Sequence, residues 1–261
     1  MTDSLPSLTY FDMRGRVEAV RLLCVDRGFA FRDRRIRSQQ NWETLSKMLT
    51  LRVLPHFHDD AVSINQSQAI LRYLARSVGV MPADPVAQAP YDEAQFALAE
   101  VQEILWQFGW QEDYARDPEP FLQHELHELL RDLERLYLRG VSEFWVGERA
   151  SHVDFLAFAL FDELRAFFPD ALARFPTFVQ FHSLISSRPN VRAYIDSTRR
   201  PAVFGMALHG PKIDPLARVE PGTLFESPWS EPVDLAEHVN DLEVLNTQIA
   251  LRAGAVETDN A

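Results

Sequence analysis

The stretch Tyr10-Phe11-Asp12-Met13-Arg14-Gly15-Arg16 decides how this chain begins to fold. It follows a short apolar run and precedes residues with the spacing of an amphipathic helix, so it is predicted to connect a strand to a helix. The connection places the phenol of Tyr10 at the end of the strand, beside the guanidinium groups of Arg14 and Arg16. A tyrosine held there can donate a hydrogen bond to an anion.

The first 80 residues alternate between strand and helix patterns. After the strand at 7–11, the predicted elements are a helix at 14–27, a strand at 29–36, a helical segment at 42–51, strands at 53–58 and 61–64, and a helix at 66–76. Gly28 is placed to end the first helix. Alternating helices and strands in this order predict an α/β unit.

Residues 82–90 contain three prolines and break this pattern, which is typical of a linker. The segments that follow have helical spacing, at 91–114, 121–138, 155–168, 175–187 and 189–197. Ser151 and Asp154 are three residues apart before one of these helices and predict a capping box. Beyond Arg200, six prolines between 201 and 232 predict an extended arm, followed by a helix at about 234–253.

Composition excludes several classes of protein. The net charge of -12 and a pI near 5.1 argue against nucleic acid as a partner. A single cysteine, Cys24, cannot form a disulfide framework within one chain. No apolar run approaches the roughly 20 residues that span a bilayer, so we expect an intracellular protein with no membrane partner. The sequence also lacks a phosphate-binding loop, a dinucleotide fingerprint and a nucleophile elbow.

Two positions are candidates for contact with a ligand through the backbone. Pro55 either lies on an edge strand or forms a cis peptide bond with Leu54 that exposes the preceding backbone. Gln66 and Ser67 stand at the start of a helix, where free N–H groups favour a carboxylate. Alternatively, Ser67 only caps that helix.

Other side chains are ambiguous from their pattern. Trp42 lies in a polar stretch and either anchors a short helix or contacts a ligand, and Lys47 is either solvated or a ligand clamp. His56 and His58 face the same way on a strand, but no third ligand is spaced to complete a metal site. The dense aromatic residues of the long helix form either core or the wall of an apolar pocket. They are Trp106, Phe108, Trp110 and Tyr114.

In their order and spacing, several motifs together resemble the glutathione transferases. They are Tyr10 to Arg16, Trp42, Leu54-Pro55, Gln66-Ser67-Gln68-Ala69-Ile70-Leu71-Arg72-Tyr73-Leu74, and Ser151-x-x-Asp154. The likeness is to the tyrosine-type sigma class, which includes a prostaglandin D synthase, and it runs from about Ser7 to Ser197.

The resemblance implies a thioredoxin-like N-terminal domain with a four-stranded mixed sheet, then an all-helical domain. The expected division is a glutathione-binding domain at 1–80, a linker at 81–90, a helical substrate-binding and dimerisation domain at 91–200, and an extension at 201–261. It further implies a cytoplasmic homodimer that serves detoxification.

The resemblance also implies roles for single residues. Tyr10 is expected to hydrogen-bond the glutathione sulfur, with Arg16 beside it. The remaining glutathione contacts are expected from Trp42, Lys47, Leu54, cis Pro55, Gln66, Ser67 and Glu103. Glu103 would reach the glutathione amine of the neighbouring subunit. Phe11, Met13, Arg14 and Trp110 are expected to line the apolar substrate pocket.

Four positions depart from the family pattern. The family lysine four residues after the tryptophan is Ser46 here, with Lys47 one position later, and Glu103 replaces a shorter aspartate. Ala99 and Gln102 stand where the prostaglandin synthase has acidic metal ligands, so no metal is expected.

The leading functional hypothesis is conjugation of glutathione to small apolar electrophiles. The alternatives are a glutathione-dependent isomerase of the prostaglandin D synthase kind, and a non-catalytic crystallin-like or ligand-binding protein on the same scaffold.

Overall fold

Four short strands form a mixed sheet in the first part of the chain. They are β1 (Ser7–Phe11), β2 (Arg32–Ile36), β3 (His56–His58) and β4 (Ser63–Asn65). The spatial order is β2-β1-β3-β4, with β1 parallel to β2 and β3 antiparallel to both β1 and β4. The computed structural model describes residues 5–36, 39–109 and 117–205. Trp110 and the predicted helix at 234–253 lie outside the described residues.

Three helices accompany the sheet. They are α1 (Glu18–Arg27), which follows a 3-10 turn at Gly15–Val17, α2 (Gln39–Ser46) and α3 (Ser67–Ser77). A parallel strand pair needs a crossover, and α1 supplies it between β1 and β2. Gly28 ends α1 in the left-handed conformation at φ +65°, as predicted.

The rest of the described chain is helical. The helices are α4 (Pro85–Gly109), α5 (Leu126–Leu138), which a π-helical turn at Phe121–Glu125 precedes, α6 (His152–Phe167), α7 (Pro169–Ala173), α8 (Pro176–Ser186) and α9 (Pro189–Ile195). Helix α6 is buried on nearly all sides and packs against α1, α3, α4, α7 and α8. A helix that is apolar all round belongs in a core. The thioredoxin-like unit followed by an all-helical unit is thus confirmed.

Three predicted strands were too long at their beginnings. The predicted strand at 53–58 begins at His56. The predicted strand at 29–36 begins at Arg32, because the N–H of Phe29 donates to the carbonyl of Cys24 in the cap of α1. The predicted strand at 61–64 becomes Ser63–Asn65. There the Asp59 carboxylate accepts the N–H groups of Ala61 and Val62, which belong to the turn.

The segment predicted as a linker at 81–90 is helical from Pro85 onward. The Asp84 side chain accepts the N–H of Ala87 at 2.8 Å and caps the helix. Pro85 takes the first position of α4, where a missing N–H costs nothing, and Pro90 lies inside the helix. The prolines therefore marked a helix start rather than a non-helical connection.

Candidate active site

The phenol of Tyr10 is buried at the end of β1, with 6% of the residue exposed. Its oxygen accepts a hydrogen bond from the backbone N–H of Arg16 at 3.4 Å. Gly15 allows this approach: it has φ +40°, and a Cβ on it would lie 2.8 Å from the phenol oxygen and 3.2 Å from the sulfur of Met13. The loop can pass over the phenol only because Gly15 has no side chain.

Burial raises the pKa of Tyr10, and the Arg16 N–H and the charges of Arg16 and Arg21 oppose this effect without reversing it. The phenol is therefore protonated at neutral pH. A protonated phenol is a hydrogen-bond donor, which is the state needed to stabilise an anion.

Arg16 extends from this loop toward α4. Its Nη1 lies 2.8 Å from Oε2 of Glu103, and its Cζ lies 4.6 Å from the centre of the Trp106 ring. Partial burial opposes ionisation of Glu103, but its hydrogen bond with Arg16 and the positive charge of Arg16 lower its pKa overall. Arg16 thus places a cation between Tyr10 and the helical unit.

Arg14 takes a different direction. It is largely buried, and its Nη1 pairs with Asp162 on α6 at 3.0 Å. Its Nε donates to the carbonyl of Pro201 at 2.8 Å, and its guanidinium lies 3.8 Å from the centre of the Phe204 ring. The two arginines of the motif therefore separate: Arg16 lies beside Tyr10, whereas Arg14 holds the segment that contains Pro201 and Phe204.

An apolar cluster brings Phe11, Trp42 and Leu54 together. All three pack against the buried residues Ile36, Leu45 and Leu49. The rings of Phe11 and Trp42 meet edge to face with centres 5.8 Å apart. Lys47 is exposed just beyond the end of α2. Three positions far apart in sequence thus lie on one surface beside β1.

The peptide bond between Leu54 and Pro55 is cis. The Asn65 side chain donates to the carbonyl of Pro55 at 3.2 Å and so joins this turn to β4. Gln66 follows with φ +76°, a backbone conformation that non-glycine residues rarely adopt and that often accompanies function. Ser67 then begins α3, where backbone N–H groups are free to bind an anion.

The structure adds two residues that the motifs did not identify as part of the site. Glu163 on α6 accepts a hydrogen bond from Trp106 at 2.9 Å, and both are buried. Gly205 lies against Gly15 and the Trp106 ring. A carboxylate inside the apolar run of α6 was the available signal for Glu163, whereas Gly205 gave none.

The histidine pair does not assemble a metal site in the described ranges. Nε2 of His56 lies 2.9 Å from the Ser63 hydroxyl. Within residues 5–36, 39–109 and 117–205, no group of three or more His, Cys, Asp or Glu side chains could hold a metal ion.

A thioredoxin-like sheet with a buried tyrosine at the end of β1, a cis proline before β3, a serine that begins α3 and an all-helical second unit define the class of glutathione-dependent enzymes. A family model described as "Glutathione S-transferase, N-terminal domain" matches residues 6–76, and one described as "Glutathione S-transferase, C-terminal domain" matches residues 100–198. The chain belongs to the glutathione S-transferase family. It is an enzyme of that family, whose members use glutathione as co-substrate.

Individual relatives agree with this assignment. The chain is 29% identical over 189 residues to a glutathione S-transferase of Dirofilaria immitis, covering 72% of this chain and 90% of the relative. It is 28% identical over 200 residues to the hematopoietic prostaglandin D synthase of Gallus gallus, covering 75% and 98%. The Pi-class glutathione S-transferase of Onchocerca volvulus superposes with a TM-score of 0.68 at 26% identity, covering 75% and 96%.

Among the described helices, none is both long and apolar enough to cross a membrane.

Proposed function

We propose that the enzyme is a tyrosine-type, sigma-like transferase in which Tyr10 stabilises the thiolate of glutathione for attack on an apolar electrophile. The observation that carries this proposal is the buried, protonated phenol of Tyr10 at the end of β1, with the Arg16 side chain beside it.

The chemistry requires a thiolate. A free thiol has a pKa of about 8.5, so most of it is protonated at neutral pH. A hydrogen bond from Tyr10 and the positive charge of Arg16 both favour the anion, because each interacts more strongly with S⁻ than with S–H. The thiol proton leaves to solvent, the sulfur forms a bond to the electrophilic carbon, and a leaving group such as chloride departs with its electron pair.

The other contacts with glutathione follow from the surfaces around Tyr10. In the proposed arrangement Trp42 and Lys47 hold the glycyl carboxylate, and the backbone of Leu54 beside cis Pro55 pairs with the cysteinyl unit. Gln66 and Ser67 bind the γ-glutamyl carboxylate at the start of α3. Free N–H groups at a helix start suit that anion.

The apolar electrophile is proposed to lie against Phe11, Met13, Arg14 and Trp110. Phe11, at the end of β1, and Met13, on the loop that follows, are partly buried and flank the connection between Tyr10 and Arg16. Apolar side chains with a few polar groups are the usual lining of a pocket for a small molecule.

The direct test compares the wild type with Tyr10→Phe in an aryl halide conjugation assay. We expect kcat/KM to fall roughly 10-fold or more at pH 6.5, because a lost hydrogen bond to the anion raises the pKa of the bound thiol. Tyr73→Phe is the matched control, since its phenol donates to Asp59 instead. Equal rates for Tyr10→Phe and the wild type would remove Tyr10 from the mechanism.

Isomerisation is the second candidate, favoured by the 28% identity to the hematopoietic prostaglandin D synthase of Gallus gallus. The same fold and thiolate would then act on a substrate without net loss of glutathione. Product formed with no fall in the glutathione concentration distinguishes it from conjugation.

We also propose that two copies of the chain associate in the cytoplasm. Apolar side chains are exposed on both units, namely Leu51, Val53 and Phe96. A groove between α4 and α5 offers an apolar floor for one of them, formed by Ala97, Val101, Leu129, Leu133 and Leu136. Light scattering is expected to give twice the chain mass of 30.0 kDa. A mass of one chain at micromolar concentration would contradict this.

Glu103 links this association to the active site. The Glu103 carboxylate already pairs with Arg16 of its own subunit at 2.8 Å. In the proposed dimer the same carboxylate also binds the amine of the glutathione in the partner subunit.

A further inference from the structure

A buried carboxylate lies behind the arginine of the active site. Glu163 on α6 is 3% exposed, and its Oε2 accepts a hydrogen bond from the indole N–H of Trp106 at 2.9 Å. Burial of a carboxylate is costly unless it is hydrogen-bonded, and a bond from a neutral N–H to a charged oxygen is stronger than a neutral pair. The indole ring is thereby fixed in position relative to α6.

The fixed ring supports Arg16. The guanidinium carbon of Arg16 lies 4.6 Å from the centre of the Trp106 ring, within the range of a cation–π contact. The Arg16 side chain is 42% exposed, so its long stem would otherwise sample many rotamers. The ring and the Glu103 carboxylate together restrict it to one position beside Tyr10.

The segment from Val203 to Gly205 also lies against the Trp106 ring and the loop before α1. A Cβ on Gly205 would lie 3.2 Å from Cε2 and Cζ2 of Trp106, and 3.0 Å from the Cα of Gly15. The backbone N–H of Arg14 donates to the carbonyl of Val203 at 2.8 Å, which holds this segment on the loop that contacts Tyr10. Trp106 therefore contacts the active-site arginine, a buried acceptor and the chain segment over the loop.

We propose that Glu163 and Trp106 are positioning residues for Arg16, and through Arg16 for the glutathione thiolate. Neither is assigned a contact with glutathione itself. The inference rests on the proposed function, in which Arg16 supports the sulfur anion beside Tyr10.

Two effects of Glu163 on the thiolate have opposite signs. Its negative charge acts through space against a second anion: burial is the main cause that raises the pKa of Tyr10, and Glu163 adds to it. By that effect alone, removing the charge would favour the thiolate. Loss of Arg16 positioning would instead disfavour the thiolate, because the cation would spend less time near the sulfur. The direction in which the pH dependence of activity shifts therefore distinguishes the through-space effect from the positioning effect.

The test measures kcat/KM for glutathione against pH in the wild type, Glu163→Gln and Glu163→Leu, with an aryl halide as electrophile. We expect decreases of roughly 3-fold for Gln, which retains an acceptor for the indole, and roughly 10-fold for Leu, which does not. The acid limb of the profile is expected to lie at higher pH in Glu163→Leu than in Glu163→Gln, because both variants lose the charge and only Glu163→Leu also loses the acceptor. If Glu163→Leu does not fold, Trp106→Phe takes its place: it removes the same indole hydrogen bond while it keeps the Glu163 charge, and it is expected to move the limb to higher pH.

An equal movement of the acid limb to lower pH in Glu163→Gln and Glu163→Leu would show that only the through-space charge matters and would overturn the inference. An unchanged limb would show that Glu163 is merely structural and would overturn it as well. Glu128→Gln is the matched control, because it removes an exposed carboxylate that pairs with Arg131 on α5.

The double variant Arg16→Met with Glu163→Gln shows through which residue Glu163 acts. Once Arg16 is absent, we expect Glu163→Gln to keep only its through-space effect, because the positioning role is lost with Arg16. Additive effects would contradict the inference. Arg16→Met alone separates this from the proposed function: if it matches the wild type, the role of Arg16 itself is wrong.

Discussion

Gly15 sets the distance between the active-site loop and the Tyr10 phenol. A Cβ there would lie 2.8 Å from the phenol oxygen and 2.9 Å from Cε1, and the backbone has φ +40°. We expect Gly15→Ala to lower stability by about 1 to 3 kcal/mol through backbone strain and to displace the phenol. The predicted result is a roughly 10-fold loss of kcat/KM, because small misplacements in an active site are costly.

A matched control for this prediction is Gly79→Ala. Gly79 also has positive φ, at +71°, but no atom lies within 4 Å of an added Cβ. It should lower the melting temperature without changing kcat/KM. If both variants keep full activity, the phenol tolerates displacement and Gly15 matters only for the backbone.

For single residues, the sequence identified those around Tyr10 better than it identified the residues with which they pair. The motif placed Tyr10 at the end of a strand and Arg14 and Arg16 on the connection that follows it, and in the structure they lie there. It could not show that Arg16 pairs with Glu103 of its own chain, or that Arg14 turns away to Asp162. Both partners come from the helical unit, and a pairing over such sequence separations depends on how the two units pack.

At the scale of elements, local chemistry predicted helix ends better than strand ends. The capping box of α6 forms as predicted, because Ser151 and Asp154 satisfy each other's backbone N–H groups and need no distant residue. Strand ends depend on which N–H groups remain free for pairing. Phe29 looks like the start of β2, but its N–H is used by the cap of α1.

The two prolines of α4 show that a sequence pattern can also mislead about where a helix begins. Pro85 and Pro90 predicted a break, yet both lie in α4, and the first of them starts it. Pro85 can start the helix because the residue before it is the cap Asp84, whereas Pro90 lies inside the helix and does not end it. The pattern of prolines alone did not distinguish a helix start from a linker.

At the scale of the whole molecule, buried ion pairs join the end of the helical unit to the sheet unit. Arg200 lies 2.7 Å from Glu18 and 2.6 Å from Asp162, and all three are largely buried. Burial opposes ionisation of Asp162, but its hydrogen bond with His182 and the positive charges of Arg200 and Arg14 hold its pKa below the usual range. This network unites residues about 180 positions apart, so no local pattern could have predicted it.

Two buried histidines make the folded molecule sensitive to acid. Burial is the main cause that lowers the pKa of His152 to about 4, with Arg72 and Arg76 adding to it, and burial likewise lowers that of His56 to about 4. In the unfolded chain a histidine has a pKa of about 6.5. Between these values the unfolded state binds more protons, so the free energy of unfolding decreases as pH falls from about 6.5 to about 4.

The buried Asp154 acts in the opposite sense. Burial raises its pKa to about 6, despite the hydrogen bonds that it accepts from Trp145 and Ser151. The folded state therefore binds the extra proton between about pH 6 and the normal pKa of an aspartate, and this contribution grows on acidification. A single acid titration would mix the two effects, so one histidine has to be removed to measure its share.

His152→Phe isolates the contribution of His152 to the pH dependence of stability. The ring of His152 stacks on Tyr91, and Phe keeps an aromatic ring there. When the pH falls from 7 to 4.5, we expect the free energy of unfolding of the variant to increase by about 2 to 3 kcal/mol relative to that of the wild type. The reason is that the variant no longer has to bury an uncharged histidine. Urea unfolding at both pH values measures this difference. His124→Gln removes an exposed histidine and should leave the pH dependence unchanged. Parallel pH curves for wild type and His152→Phe would show that protonation of His152 does not limit acid stability.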